Sequence, residues 1–251
     1  MLTTSILALH DGYIASIDAN RRLALESVDE EAFHDLRVAT KRERALLRYV
    51  EAIGVDLDAK KSFRIFRSLF RAAGAVRDIH IQQGVARRLA PRGAREHQRL
   101  LRAQLDEALW AFSRTRPPAA DALTALRSRI ENALSRVDET LAAPVIEAHL
   151  RALERDVDRL KRERGALHEL RIAIKNALYT MHFIETSCAT IPIAKEREAQ
   201  MHRLQRLLGN WHDLEISLAM NESLGAPLEE AIRSEKEKLR RRVRYVLRTL
   251  L

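Results

Sequence analysis

The sequence predicts an all-α protein made of two related helical bundles, about ten helices in total. Three observations carry that expectation. Long segments rich in Ala, Leu, Arg and Glu place apolar residues at helical spacing. Only eight glycines and six prolines occur, and they fall mostly between those segments. A block of sequence centred on His34 also recurs around His168. The chain has 251 residues, of which 46% are hydrophobic and 31% charged, enough apolar material for a full core in one large domain or two smaller ones.

Taken in order, Ser27 followed by Glu30 has the spacing of a capping box, opening a helix that runs to Gly54, where a residue tolerant of positive φ suits the stop. Gly74, Gly93, Gly209 and Gly225 are expected to punctuate the chain similarly. Pro118, Pro144, Pro192 and Pro227 each precede a helical pattern, since proline is tolerated in a first turn, where its missing N–H has no partner to lose. The clearest breaker cluster, Thr115-Arg116-Pro117-Pro118, divides the chain into a first repeat over 1–116 and a second over 117–251.

The repeat is specific. Phe33-His34-Asp35-Leu36-Arg37-Val38-Ala39-Thr40-Lys41 aligns with Leu167-His168-Glu169-Leu170-Arg171-Ile172-Ala173-Ile174-Lys175 at an offset of 134. Gly74-Ala75-Val76-Arg77-Asp78-Ile79-His80-Ile81 aligns with Gly209-Asn210-Trp211-His212-Asp213-Leu214-Glu215-Ile216 at an offset of 135. Two matched blocks at nearly one offset indicate two copies of one unit.

At about 100° per residue, His34, Arg37, Lys41, Arg44 and Arg48 fall in a stripe about 80° wide, with Leu36, Ala39, Leu46, Leu47, Val50 and Ile53 roughly opposite. Solvated helix faces usually mix signs, because like charges one turn apart repel. A ridge of four cations therefore costs stability unless an anion sits on it. Glu43 is the exception: it falls on the apolar side and needs a basic partner there. In the second copy His168, Arg171 and Lys175 are kept, Leu178 replaces Arg44, and His182 replaces Arg48. A second tier is expected from Arg64, Arg67 and Arg71, with Ala199, His202 and Arg206 at the matching positions.

Lys and Arg number 44 against 35 Asp and Glu, a net charge of +9, and the pI is near 10.1. That balance favours anionic partners. The lone cysteine, Cys188, excludes an intramolecular disulfide and reads as a small core residue. No stretch approaches the length of a membrane span, residues 1–11 lack the features of a signal peptide, and a cytoplasmic location is expected.

The pattern His-x-x-Arg-x-x-x-Lys, as His34/Arg37/Lys41 and His168/Arg171/Lys175, each with Leu at 36 or 170 and each followed by a Gly-x-x-x-Asp block, resembles the CHAD family, the conserved histidine alpha-helical domain. The resemblance covers almost the whole chain. It implies two pseudo-symmetric four-helix bundles, a basic cleft or pore between them, and binding of inorganic polyphosphate without hydrolysis, and so association with polyphosphate granules. Carried over by position, it implies that His34, Arg37, Lys41, Arg44, His168, Arg171 and Lys175 line the site. Arg48, Arg64, Arg67, Arg71, His182, His202 and Arg206 extend it on the reading of the ridges. Leu178 and Asn176 depart from usually basic family positions and weaken the second-copy surface. Asp78 and Asp213 are given a structural role, either as helix caps or as groups orienting a basic neighbour.

Other functions fit less well. Nucleic acid presents similar phosphates and is the nearest alternative, but aromatics are 5% of the chain, and Tyr49, Trp110, Tyr179 and Trp211 are not interleaved with the ridges. A metal-dependent phosphohydrolase would need several His and Asp side chains to converge. The dipeptides His10-Asp11, His34-Asp35 and His212-Asp213 do not achieve that alone, because adjacent helical residues point about 100° apart. No metalloprotease, phosphate-loop or nucleophile-elbow motif occurs, so neither catalysis, nor a metal, nor a cofactor is expected. The basic run from Lys236 to Arg248 is read first as complementing the negative end of a terminal helix, with nearby Glu partners, and second as extending the anion surface.

Overall fold

A computed structural model describes residues 2–54, 56–90, 95–163, 165–188, 190–219 and 226–249. Its described residues form ten α-helices and one 3-10 turn, with no strand. The helices are α1 (Leu2–Ser27), α2 (Glu30–Ile53), α3 (Ala59–Ser62), α4 (Arg67–Leu89), α5 (Arg95–Ser113), α6 (Ala120–Ser135), α7 (Glu139–Arg162), α8 (Leu167–Ser187), α9 (Lys195–Ala219) and α10 (Ala226–Thr249), and the 3-10 turn is Phe63–Phe66. None of the described helices is long and apolar enough to cross a membrane.

Helix pairs recur in the order of the repeat. Helix α1 packs on α2 as α7 does on α8, α2 on α4 as α8 on α9, and α4 on α5 as α9 on α10. The two sets meet where α2 packs on α8 and α4 on α9. One apolar cluster runs through both, from Ile6 and Leu36 to Ile174 and Leu204, and the rings of Tyr49 and Phe183 touch across it at 5.5 Å between centroids. Helix α6, beyond the Pro117-Pro118 break, packs back on α1 and α2.

Several local expectations need correction. Helix α2 is capped by Asp29, whose side chain accepts from the Glu31 N–H at 3.1 Å, and not by a Ser27/Glu30 box. Ser27 ends α1, its hydroxyl donating to the Leu23 carbonyl, and Glu30 is drawn off to Arg77. Gly54 does end α2, but with φ −96°, so positive φ is not what favours glycine there. A Cβ would lie 2.7 Å from the Val50 carbonyl oxygen and 3.4 Å from Ala133. Gly74 and Gly209 sit inside α4 and α9 and punctuate nothing, and Pro144 lies within α7. Gly93 and Gly225 lie outside the described residues.

The misfit of Glu43 on the apolar face is resolved by α1. Glu43 is 0% exposed and its Oε1 lies 3.0 Å from Nδ1 of His10, itself 1% exposed. Burial pushes the Glu43 carboxyl up, and the His10 contact opposes that shift. Cys188 caps α8 and is half-buried against the core.

Candidate anion-binding site

Helix α2 carries its cations on the face that periodicity predicts, and packing sorts them by depth. Arg37 and Lys41 are half-buried, whereas Arg44 and Arg48 are exposed. On α8, Arg171 and Lys175 are half-buried too. Because α2 packs on α8, the two ridges face each other: Lys41 feels Arg37, Lys175 and Arg171, and Lys175 feels Arg171 and Arg37. Two carboxylates share the cluster, Asp78 from α4 and Asp213 from α9, close enough that each senses both lysines or their arginine neighbours. Both aspartates are mid-helix, so neither is a cap; they balance part of the cluster's charge.

The electrostatics are those of a crowded, half-dry cation cluster. Burial first, and then Arg37, Lys175 and Arg171, push the Lys41 amine down to about 7, against the pull of Asp78. Burial and Arg171 push Lys175 down to about 8, with Asp213 opposing. Burial lowers Arg37 and Arg171 as well, and raises Asp78 and Asp213 despite the cations around them.

The two arginines are held differently. Nη1 of Arg37 donates to the Phe70 carbonyl at 3.1 Å, and the guanidinium lies 4.7 Å from the Phe70 ring centroid. It also lies against Gly74, where any Cβ would collide with Nη1, so glycine at this helix-interior position serves close approach. Arg77 donates to Glu30 at 2.6 Å and ties α4 to the start of α2. In the second copy His212 stands at the Arg77 position, its Nδ1 3.7 Å from Glu215 and its pKa pushed down to about 4 by burial, Arg171 and His168. The buried Nε of Arg171 has no hydrogen-bond partner among the described residues.

Outside this centre the expected residues separate. Arg44 lies 5.3 Å from the Phe63 ring centroid and close to Arg48 and Arg67, an exposed outer cluster at the far end of α2. Arg64 falls in the 3-10 turn, Arg67 opens α4, and Arg71 follows one turn later; all three are exposed. His34 is half-buried beside Glu31 and Asp35. His168 is exposed, its ring 5.2 Å from that of His212. Leu178 is buried in the core. His182 is exposed among Arg42, Glu185 and Glu198, and His202 lies 3.8 Å from Glu198, which Lys195 bridges to Glu185. That end of the second copy mixes signs. Arg206 is exposed on α9.

Among the described residues, two side-chain sets bring metal-ligating atoms within 4.8 Å of one another, His168/His212/Glu215 and Glu31/His34/Asp35. The first lies beside Arg171 and Lys236, which oppose a cation, and the second is a largely exposed group on the first turns of α2.

Fold and site together define an all-helical protein in which two basic helices, one from each copy of a repeat, converge on a half-buried charged cluster. Residues 8–222 match the CHAD domain family, and the chain belongs to it. The crystal structure of the CHAD domain from the plant Ricinus communis is similar over 99% of this chain and 92% of that one, with a TM-score of 0.71 and 19% identity. No curated protein matches.

Proposed function

We propose that the chain binds inorganic polyphosphate, without hydrolysing it, along the cation cluster of α2 and α8. The observation that supports this most strongly is the convergence of Arg37, Lys41, Arg171 and Lys175, four cations that repel one another and are partly dehydrated until an anion joins them. Polyphosphate carries about one charge per phosphate, so successive units can meet successive side chains through charge-assisted hydrogen bonds. Arginine forks grip phosphate oxygens, and the lysines act as adaptable point charges. The outer cluster of Arg44 and Arg48 on α2 and Arg67 at the start of α4 would lengthen the track.

Stacking on bases has little support, because Tyr49 and Trp211 are buried and Trp110, at 62% exposed, is covered on one face by Arg114. A chain with this activity would collect on polyphosphate granules in the cytoplasm.

The test is binding of long-chain polyphosphate over a salt series, beside DNA at matched charge, with phosphate release followed in the presence of divalent metal. Counterion release predicts an affinity loss on the order of 100-fold or more between 50 and 200 mM salt. Equal or tighter DNA binding would move the assignment to nucleic acid, and released phosphate would make the protein an enzyme.

Binding should also depend on pH in a stated direction. Facing Lys41 and Lys175 are Arg37 on α2, Asp78 on α4, Arg171 on α8 and Asp213 on α9. With folded pKa values of about 7 and about 8, the lysines lose their protons in the empty site as pH rises through 7 to 8, and a bound polyanion raises both values. Binding therefore takes up protons, and affinity falls with rising pH, by roughly tenfold or more between pH 7 and pH 9. Titration in two buffers of different ionisation enthalpy measures the uptake; flat affinity over that range would contradict it.

A further inference from the structure

A second concentration of positive charge lies apart from the α2/α8 cluster, in a cleft of about 860 Å³ bounded by the end of α7, the start of α8, and helices α9 and α10. Seven cationic side chains line it against three carboxylates. Leu167, Trp211, Leu218 and Leu247 supply its apolar lining. The volume is that of a small-molecule pocket.

The charges in it are unequally neutralised. Lys236 is already held, donating to Glu215 at 3.2 Å over the Trp211 ring, and Arg240 lies 3.5 Å from Glu237. Arg162 spends its Nε on the Asp158 carbonyl. Arg244 and Arg248 have no ion pair among the described residues. Arg240, Arg244 and Arg248 follow one another at single-turn spacing, so they repel along one face of α10. The helix dipole explains only Arg248, the cation in the last turn. Salt partners and helix-end complementarity therefore leave the middle of this face unexplained, and it is the face that borders the cleft.

We propose that this cleft binds a small, multiply charged anion of the phosphate class, one carrying adjacent phosphate groups, independently of the α2/α8 cluster. Arg244 and Arg248 would provide the gripping guanidinium groups, and Arg162 and Arg240 the flanking charge. Asp213 faces the α2/α8 cluster while Trp211 and Glu215, on either side of it along α9, line the cleft, so one helix separates the two sites.

The experiment is calorimetric titration of the full chain with inorganic tripolyphosphate at low salt, in a Lys41→Met/Lys175→Met background that disables the central cluster. One site should remain. Arg244→Ser/Arg248→Ser in that background should weaken it by roughly tenfold or more, whereas Lys238→Ser/Arg242→Ser, which removes the same charge from residues that neither line the cleft nor pair with its carboxylates, should leave it unchanged. Far-ultraviolet circular dichroism verifies that every variant is folded. Absence of a residual site, or equal losses in the two arginine pairs, would overturn the proposal, and citrate binding as tightly as tripolyphosphate would overturn the phosphate class. The drop in long-chain polyphosphate affinity from the parent to the background reports on the central cluster, and the residual tripolyphosphate site reports on the cleft, so the two readings fail separately.

Discussion

Lys41→Glu together with Lys175→Glu is expected to weaken polyphosphate binding at physiological salt by on the order of 100-fold or more. The two amines face each other across α2 and α8, and reversing both turns the middle of the cluster from attraction to repulsion. The neutral pair Lys41→Met/Lys175→Met separates function from folding. It should also bind weakly, yet be at least as stable as the parent in the absence of ligand, because it removes two half-buried charges that burial and their neighbours both disfavour. Polyphosphate affinity by calorimetry and thermal melting of each variant read the two effects. Parental affinity in the Glu pair would remove the cluster from the binding surface.

The largest effect on stability is expected at His10. Removing one member of this buried pair leaves the other without its hydrogen-bond partner, so His10→Ala should cost about 1–3 kcal/mol in urea unfolding. The buried Oε2 of Glu43 already lacks a partner among the described residues, and the change would take away the contact at Oε1 too. His10→Leu/Glu43→Leu should recover most of that loss or exceed the parent, since well-packed apolar residues often replace a buried pair at no net cost. Additive single and double effects would show that the two side chains do not act as a pair.

The candidate site was legible where it follows helix phase. Arg37, Lys41, Arg44 and Arg48 share a face because their spacing puts them there, and the repeat carried Arg171 and Lys175 to the equivalent face of α8. Phase along one helix says nothing of depth, however. Arg44 and Arg48 lie on the same stripe as Lys41 but are exposed, because α8 covers only part of α2. The bases expected beyond Lys175 meet carboxylates instead: Glu185 and Glu198 come from two different helices, and only packing makes them neighbours of His182 and His202. Asp78 and Asp213 recurred visibly, but their place among the cations required α4 and α9 to be positioned.

Glycine shows the same division. A glycine inside a helical pattern signals a break when read along the chain, since it is a poor helix former. At position 74 it instead makes room for a guanidinium from a residue 37 positions earlier in the chain, a need no local pattern reveals. Likewise Glu43 announced a missing partner without identifying it, because His10 lies 33 residues away on another helix.

By itself the sequence determined the helical class, the repeat and the cationic faces, all consequences of short-range periodicity and of residue types that recur at a constant offset. The tertiary structure decided which cations are brought together, how dry they become, and which carboxylates balance them. Those properties depend on distance and dielectric between side chains far apart in the chain, and helix packing alone sets both.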